Sequence, residues 1–129
     1  MITVINAFSA NMLGDIETPV AVSFHPVEWW EAMDMIADGF TSAVGHADTA
    51  AVFSEQLRTF VPCNRASVTL AQGDCALLGQ YSGPRLPEGC KTLPEGGKHQ
   101  VVFGAGQLRL AVRHDLQPWW RGNYREGLS

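Results

Sequence analysis

Two apolar rhythms follow one another early in this chain, and they point to a mixed architecture. Val20, Val22 and Phe24 alternate as residues on a half-buried strand do. Val27, Trp30, Met33 and Ile36 then recur at near-helical spacing, a stripe that reads as core packing. His25-Pro26 predicts the start of that helix, with Pro26 at its first position and Gly39 just past its end. Ile2, Val4 and then Asn6 suggest a further short strand, joined to the second by residues 11–18.

A second helix is expected from around His46 to Thr49 through Leu57, with Ala50, Phe53 and Leu57 on its buried side. Gly45 would let the backbone turn tightly into it. Farther along, Ala66, Val68, Leu70 and then Cys75 to Leu78 flank Ala71-Gln72-Gly73-Asp74, which reads as a hairpin turn. Val101 to Phe103 and Leu108 to Val112 make a weaker hairpin around Gly104-Ala105-Gly106-Gln107. No internal repeat or low-complexity tract is present. The expected fold class is α+β, a compact single domain with a mixed β-sheet and two main helices.

Composition narrows the function classes. With 129 residues, 46% apolar and 17% charged, the chain has room for one domain and enough apolar surface to bury a core. No apolar run approaches the roughly 20 residues that span a bilayer, and Met1-Ile2-Thr3-Val4-Ile5-Asn6 lacks the basic start of a signal peptide. A cytoplasmic location follows as the expectation, with no membrane partner. Cys63, Cys75 and Cys90 are spaced too widely for a metal knuckle and read as reduced thiols in or near the core. His25, His46, His99 and His114 form no helix-spaced ligand pair, so neither a metal nor another cofactor is expected.

The net charge of −4 is unevenly laid out. Residues 1–57 hold eight acids and no Lys or Arg, whereas all nine basic residues lie in 58–129 against five acids. A long polyanion needs a broad positive stripe, so no long nucleic acid is expected as a partner, although a small anion could still be held locally. Pairing of opposite surface charges between the two halves explains the layout equally well.

One motif carries a specific chemistry. In Thr41-Ser42-Ala43-Val44-Gly45-His46-Ala47-Asp48-Thr49-Ala50 a histidine stands at the expected start of a helix, where unpaired backbone N–H groups and partial positive charge hold phosphate readily. Arg65, within Asn64-Arg65, and Arg85, within Arg85-Leu86-Pro87-Glu88-Gly89, suit phosphate recognition, because a planar guanidinium can hold two phosphate oxygens at once. An RNA-type phosphodiester brings its own nucleophile, the ribose 2′-hydroxyl. The protein then needs only an acid for the leaving oxygen, donors for the phosphate and a pocket that enforces in-line geometry. That fits a chain with no G-x-S-x-G, no Cys-His signature and no P-loop.

Together with Asn6-Ala7-Phe8-Ser9-Ala10-Asn11-Met12-Leu13, these residues closely resemble the viral type III anti-CRISPR ring nucleases, which open cyclic tetra-adenylate. The resemblance implies His46 as the catalytic acid at the Gly45-His46 position and Glu88 as an active-site glutamate that favours its proton. It also implies Arg85, Arg65, Ser9, Asn6, Asn11 and Gly45 as substrate contacts, and Val68 as an apolar position that touches an adenine face or, equally well, the core. A homodimer would hold the ring at its interface, since an isologous pair shares the ring's two-fold symmetry. If the chain is viral, the expected location is the host cytoplasm. The resemblance covers residues 1–95, the expected domain core. Residues 96–129 form a divergent segment that packs on or extends the same domain, or whose Trp119-Trp120 and arginines stack on single-stranded nucleic acid.

Overall fold

The computed structural model describes residues 2–17, 19–82, 89 and 100–110. The Ile2/Val4 alternation forms β1 (Ile2–Ile5), which is followed by a single 3₁₀ turn (Ala10–Leu13) and then β2 (Val20–Val27). Next come α1 (Trp29–Ile36), β3 (Phe40–Ser42), α2 (Ala47–Leu57), β4 (Cys75–Ser82) and β5 (Gln100–Leu110). The strands make one sheet in the order β2-β5-β4-β1-β3. β1 runs parallel to both β3 and β4, while β5 is antiparallel to β4 and to β2. This is the α+β fold with a mixed sheet and two helices that the sequence predicts.

The main core lies on the face covered by the helices. Ile2, Val4 and Leu77 from the sheet meet Ala32 and Ile36 of α1 and Ala50, Phe53 and Leu57 of α2, as the predicted buried face of α2 requires. On the opposite face Ile5, Ala76 and Leu78 are covered by Phe8, Met12, Phe24 and Ala43. Phe8 and Phe24 meet edge to face at 5.4 Å, an arrangement that aromatic rings favour.

Several local expectations are corrected. His25-Pro26 does not open α1: both residues stay in β2, paired with Ala105 and Gly104. β2 is an edge strand, where the missing N–H of a proline need not interrupt a ladder. α1 is started instead by reciprocal capping between Glu28 and Glu31, the Glu28 N–H donating to Glu31 Oε1 at 3.1 Å. Gly39 does follow its end, at φ 118°. Trp30, read as core, is 53% exposed.

Residues 66–70 form no strand, so the first predicted hairpin is only a turn leading into β4; Leu70 instead donates its N–H to the Met12 carbonyl at 2.7 Å. The second predicted hairpin is a single strand, because β5 runs uninterrupted through Gly104 and Gly106. Those glycines lie under Phe24, and a Cβ at Gly106 would overlap its ring. Cys63 is exposed and Cys75 half-buried, which places only the second near the core; Cys90 lies outside the described residues. No helix among the described residues is long and apolar enough to cross a membrane.

Candidate functional site at the carboxyl edge of the sheet

Because β1, β3 and β4 are parallel, the chain leaves all three along one edge. In open sheets of parallel strands, ligands bind outside the carboxyl ends. Residues 6–11 follow β1 there, and residues 43–46 follow β3. The register pairs Val4 with Ser42, and the Ala43 N–H extends it by donating to the Val4 carbonyl at 2.9 Å. Asn6 and Val44 are therefore each two residues past a paired position, on strands about 4.8 Å apart. Phe8 and Ala43 pack against the same apolar cluster, which fixes the first segment beside the second.

His46 is the N-cap of α2, with extended backbone angles (φ −122°, ψ 129°). Its carbonyl accepts the Ala50 N–H at 2.9 Å, while its exposed imidazole makes no capping bond. The ring is thus presented at the helix start without being used to build it. The N–H groups of Ala47, Asp48 and Thr49 have no partner within the helix, as in any first turn. Asp48 stands in that turn and offsets part of the positive helix end, so a bound phosphate there depends more heavily on a nearby cation.

The stem of one cationic side chain, Arg65, lies next to Gly45. A Cβ built on Gly45 would lie 3.6 Å from Arg65 Cγ and 3.7 Å from Arg65 Cα, so the arginine stem runs alongside the residue that precedes His46. Gly45 does not adopt a positive φ, which corrects the expectation that a tight turn requires glycine here; the glycine instead leaves room beside Arg65. The chain around Arg65 is tied to the end of β3. The Asn64 N–H donates to the Val44 carbonyl at 2.8 Å, and Val44 forms an isolated parallel bridge with Cys63.

Gly45, His46 and Arg65 are thereby brought together, with Asn6 half-buried on the adjoining strand end. Ser9 and Asn11 are exposed around the 3₁₀ turn: Ser9 is its N-cap, and the Asn11 carbonyl accepts the Gly14 N–H at 3.2 Å. Val68 is half-buried and belongs to neither core cluster of the described residues. Arg85 and Glu88 lie outside the described residues; they follow β4 in sequence, and β4 ends at Ser82 on this same edge. Two residues that sequence reasoning missed are Ser42 and Asn64, which join β3 to the chain before Arg65. Their partners lie 20 and 22 residues away, a separation that no local pattern reveals. Among the described residues, no three His, Cys, Asp or Glu side chains are grouped to hold a metal ion.

A comparison with curated proteins finds no match. Among solved structures, the fold is similar to B116 of Sulfolobus turreted icosahedral virus (STIV). That likeness has a TM-score of 0.64 and 25% identity and covers 82% of this chain and 97% of the viral one. The family model described as STIV B116-like matches residues 2–95, a span that holds every element from β1 to β4, and on that match the chain belongs to the STIV B116-like family.

Proposed function

We propose that this protein is a metal-independent ring nuclease that opens cyclic tetra-adenylate by attack of a ribose 2′-hydroxyl on the adjacent phosphate. The observation that carries the reading is an exposed histidine side chain, free of any capping bond, at a helix start flanked by the Arg65 stem, on the edge where parallel strands end. Membership of a family named for a viral protein and the resemblance of the Gly45-His46, Asn64-Arg65 and Arg85 to Glu88 motifs to viral ring nucleases support it.

In this mechanism the 2′-oxygen bonds to phosphorus as the P–O5′ bond breaks, the hydroxyl's proton passes to solvent water and His46 donates a proton to the departing 5′-oxygen, leaving a 2′,3′-cyclic phosphate. Glu88 favours the proton on the imidazole. Arg65 and Arg85 hold phosphate oxygens, and the N–H groups at the start of α2 add neutral donors. Asn6, Ser9 and Asn11 contact ribose or base. Two copies related by a two-fold axis would cut the ring on opposite sides, yielding two linear di-adenylates and silencing nucleases that the messenger activates.

The test is incubation of purified protein with cyclic tetra-adenylate in excess EDTA, with products separated by chromatography. Multiple turnovers to di-adenylate are expected. Tight binding without product would instead mark a sequestering protein, and neither binding nor product an interaction protein without a nucleotide ligand. Arg65→Ala is expected to weaken binding by about 1.5–3 kcal/mol, the scale of hydrogen bonds to charged groups, as read by calorimetry. Wild-type affinity in that variant would place Arg65 outside the contact.

A further inference from the structure

Arg65 is exposed and long, so where its guanidinium can reach depends on where the backbone sets its stem. The chain returning from α2 is fastened at successive points. Val61 donates its N–H to Ser54 Oγ at 2.8 Å. Ser42 Oγ donates to the Pro62 carbonyl at 2.6 Å and accepts the Val44 N–H at 3.3 Å. Asn64 then makes two bonds to the chain at and just past the end of β3, its backbone N–H donating to the Val44 carbonyl at 2.8 Å and its side-chain Nδ2 to the Ser42 carbonyl at 2.7 Å.

Backbone pairing here amounts to one isolated bridge, between Val44 and Cys63. Beside it, the Ser42 hydroxyl holds the Pro62 carbonyl, which lies before Cys63, and neither tie acts on the chain after Asn64. The Asn64 amide, reaching the Ser42 carbonyl at the end of β3, adds a tie at the residue directly before Arg65. Ser42 anchors the partner side, being 4% exposed and the one buried polar residue among those described.

We infer that Asn64 is a positioning residue, whose side-chain amide, clamped to the Ser42 carbonyl, holds Arg65 against Gly45 and so beside His46. The inference rests on the nucleotide-site reading for its functional consequence but not for its geometry. Its role is to set a neighbour in place rather than to touch ligand.

The test is a double-mutant cycle in a His46→Ala background, which prevents turnover, with the affinity for cyclic tetra-adenylate measured by calorimetry. Asn64→Ala should weaken binding by about tenfold when Arg65 is present, within the range that misplacement of a binding group produces. It should change affinity less than about twofold once Arg65 is already Ala, because coupled residues do not add. Equal loss in both backgrounds would overturn the inference, since a merely structural residue does not depend on Arg65.

A second measurement needs no ligand. A nuclear Overhauser contact between the Gly45 Hα and Arg65 side-chain protons should be present in the wild type and absent in Asn64→Ala, with spectral dispersion retained; its persistence in the variant would also overturn the inference. If the wild type does not bind cyclic tetra-adenylate, the nucleotide reading alone fails and this contact decides the role of Asn64. Asn64→Ser, whose side chain is one bond shorter, serves the same comparison should the alanine variant not fold.

Discussion

Replacing His46 by Ala is expected to slow cleavage of cyclic tetra-adenylate by about 10²–10⁴-fold, the usual loss when a general acid is removed. The alkoxide leaving from a ribose 5′-carbon is a strong base, so its departure is slow without a proton donor, whereas the attacking 2′-hydroxyl is already tethered beside the phosphorus. Affinity should be largely retained, because the proposed mechanism assigns the phosphate contacts to the arginines and backbone N–H groups. The structure makes the comparison clean. The imidazole is exposed and takes no part in capping α2, so its removal should alter stability by no more than about 0.5 kcal/mol, as for other surface substitutions that break no specific contact. Single-turnover cleavage in EDTA, with circular dichroism to confirm the fold, makes the measurement. Turnover equal to that of the wild type would remove His46 from the mechanism.

What the sequence revealed, and what it concealed, follows from the range of the interactions involved. The second helix was legible because Ala50, Phe53 and Leu57 recur on one face of an eleven-residue element, long enough for a period to register. β3 was not, because Phe40–Ser42 is three residues long and its pairing with β1 spans nearly forty positions of chain. Pro26 misled for a physical reason: its fixed φ suits a first helical turn, yet the edge position of β2 accommodates it as well, and Glu28 with Glu31 decides where the helix starts. Gly104 and Gly106 resemble turn residues in the sequence, although their use here is to admit the Phe24 ring across a continuous strand. At the candidate site, Gly45, His46 and Arg65 stand out in the sequence through their motifs. The contact between Gly45 and Arg65, and the Ser42 and Asn64 bonds that fasten it, arise only when β3 and the chain after α2 are laid side by side.

The largest stability effect is expected at Phe53, and the reason also bears on how His46 is placed. Phe53 is 1% exposed and projects from the middle of α2 onto β4 and β5. It meets Phe103 edge to face at 5.9 Å, and its ring fills the space above Gly79 so closely that a Cβ there would lie 2.5 Å from Phe53 Cζ. A glycine on the strand and a phenylalanine on the helix thus form one packed unit, and neither can change size alone. Phe53→Ala would leave a cavity that the glycine cannot fill, at a cost of about 3–5 kcal/mol. Against the roughly 5–15 kcal/mol by which domains are stable, that loss should lower the denaturant midpoint substantially while leaving the slope unchanged. Gly79→Ala should destabilise by about 1–3 kcal/mol through overpacking, and Phe53→Leu combined with Gly79→Ala should cost less than the sum of the two single changes. A loss below about 1 kcal/mol in Phe53→Ala would mean that α2 is held to the sheet elsewhere along its length, since the deletion of a buried ring cannot otherwise be so mild. Because the same helix presents His46 at its first turn, slower cleavage by a folded Phe53→Ala protein, with little change in affinity, is the expected functional echo of a loosened α2.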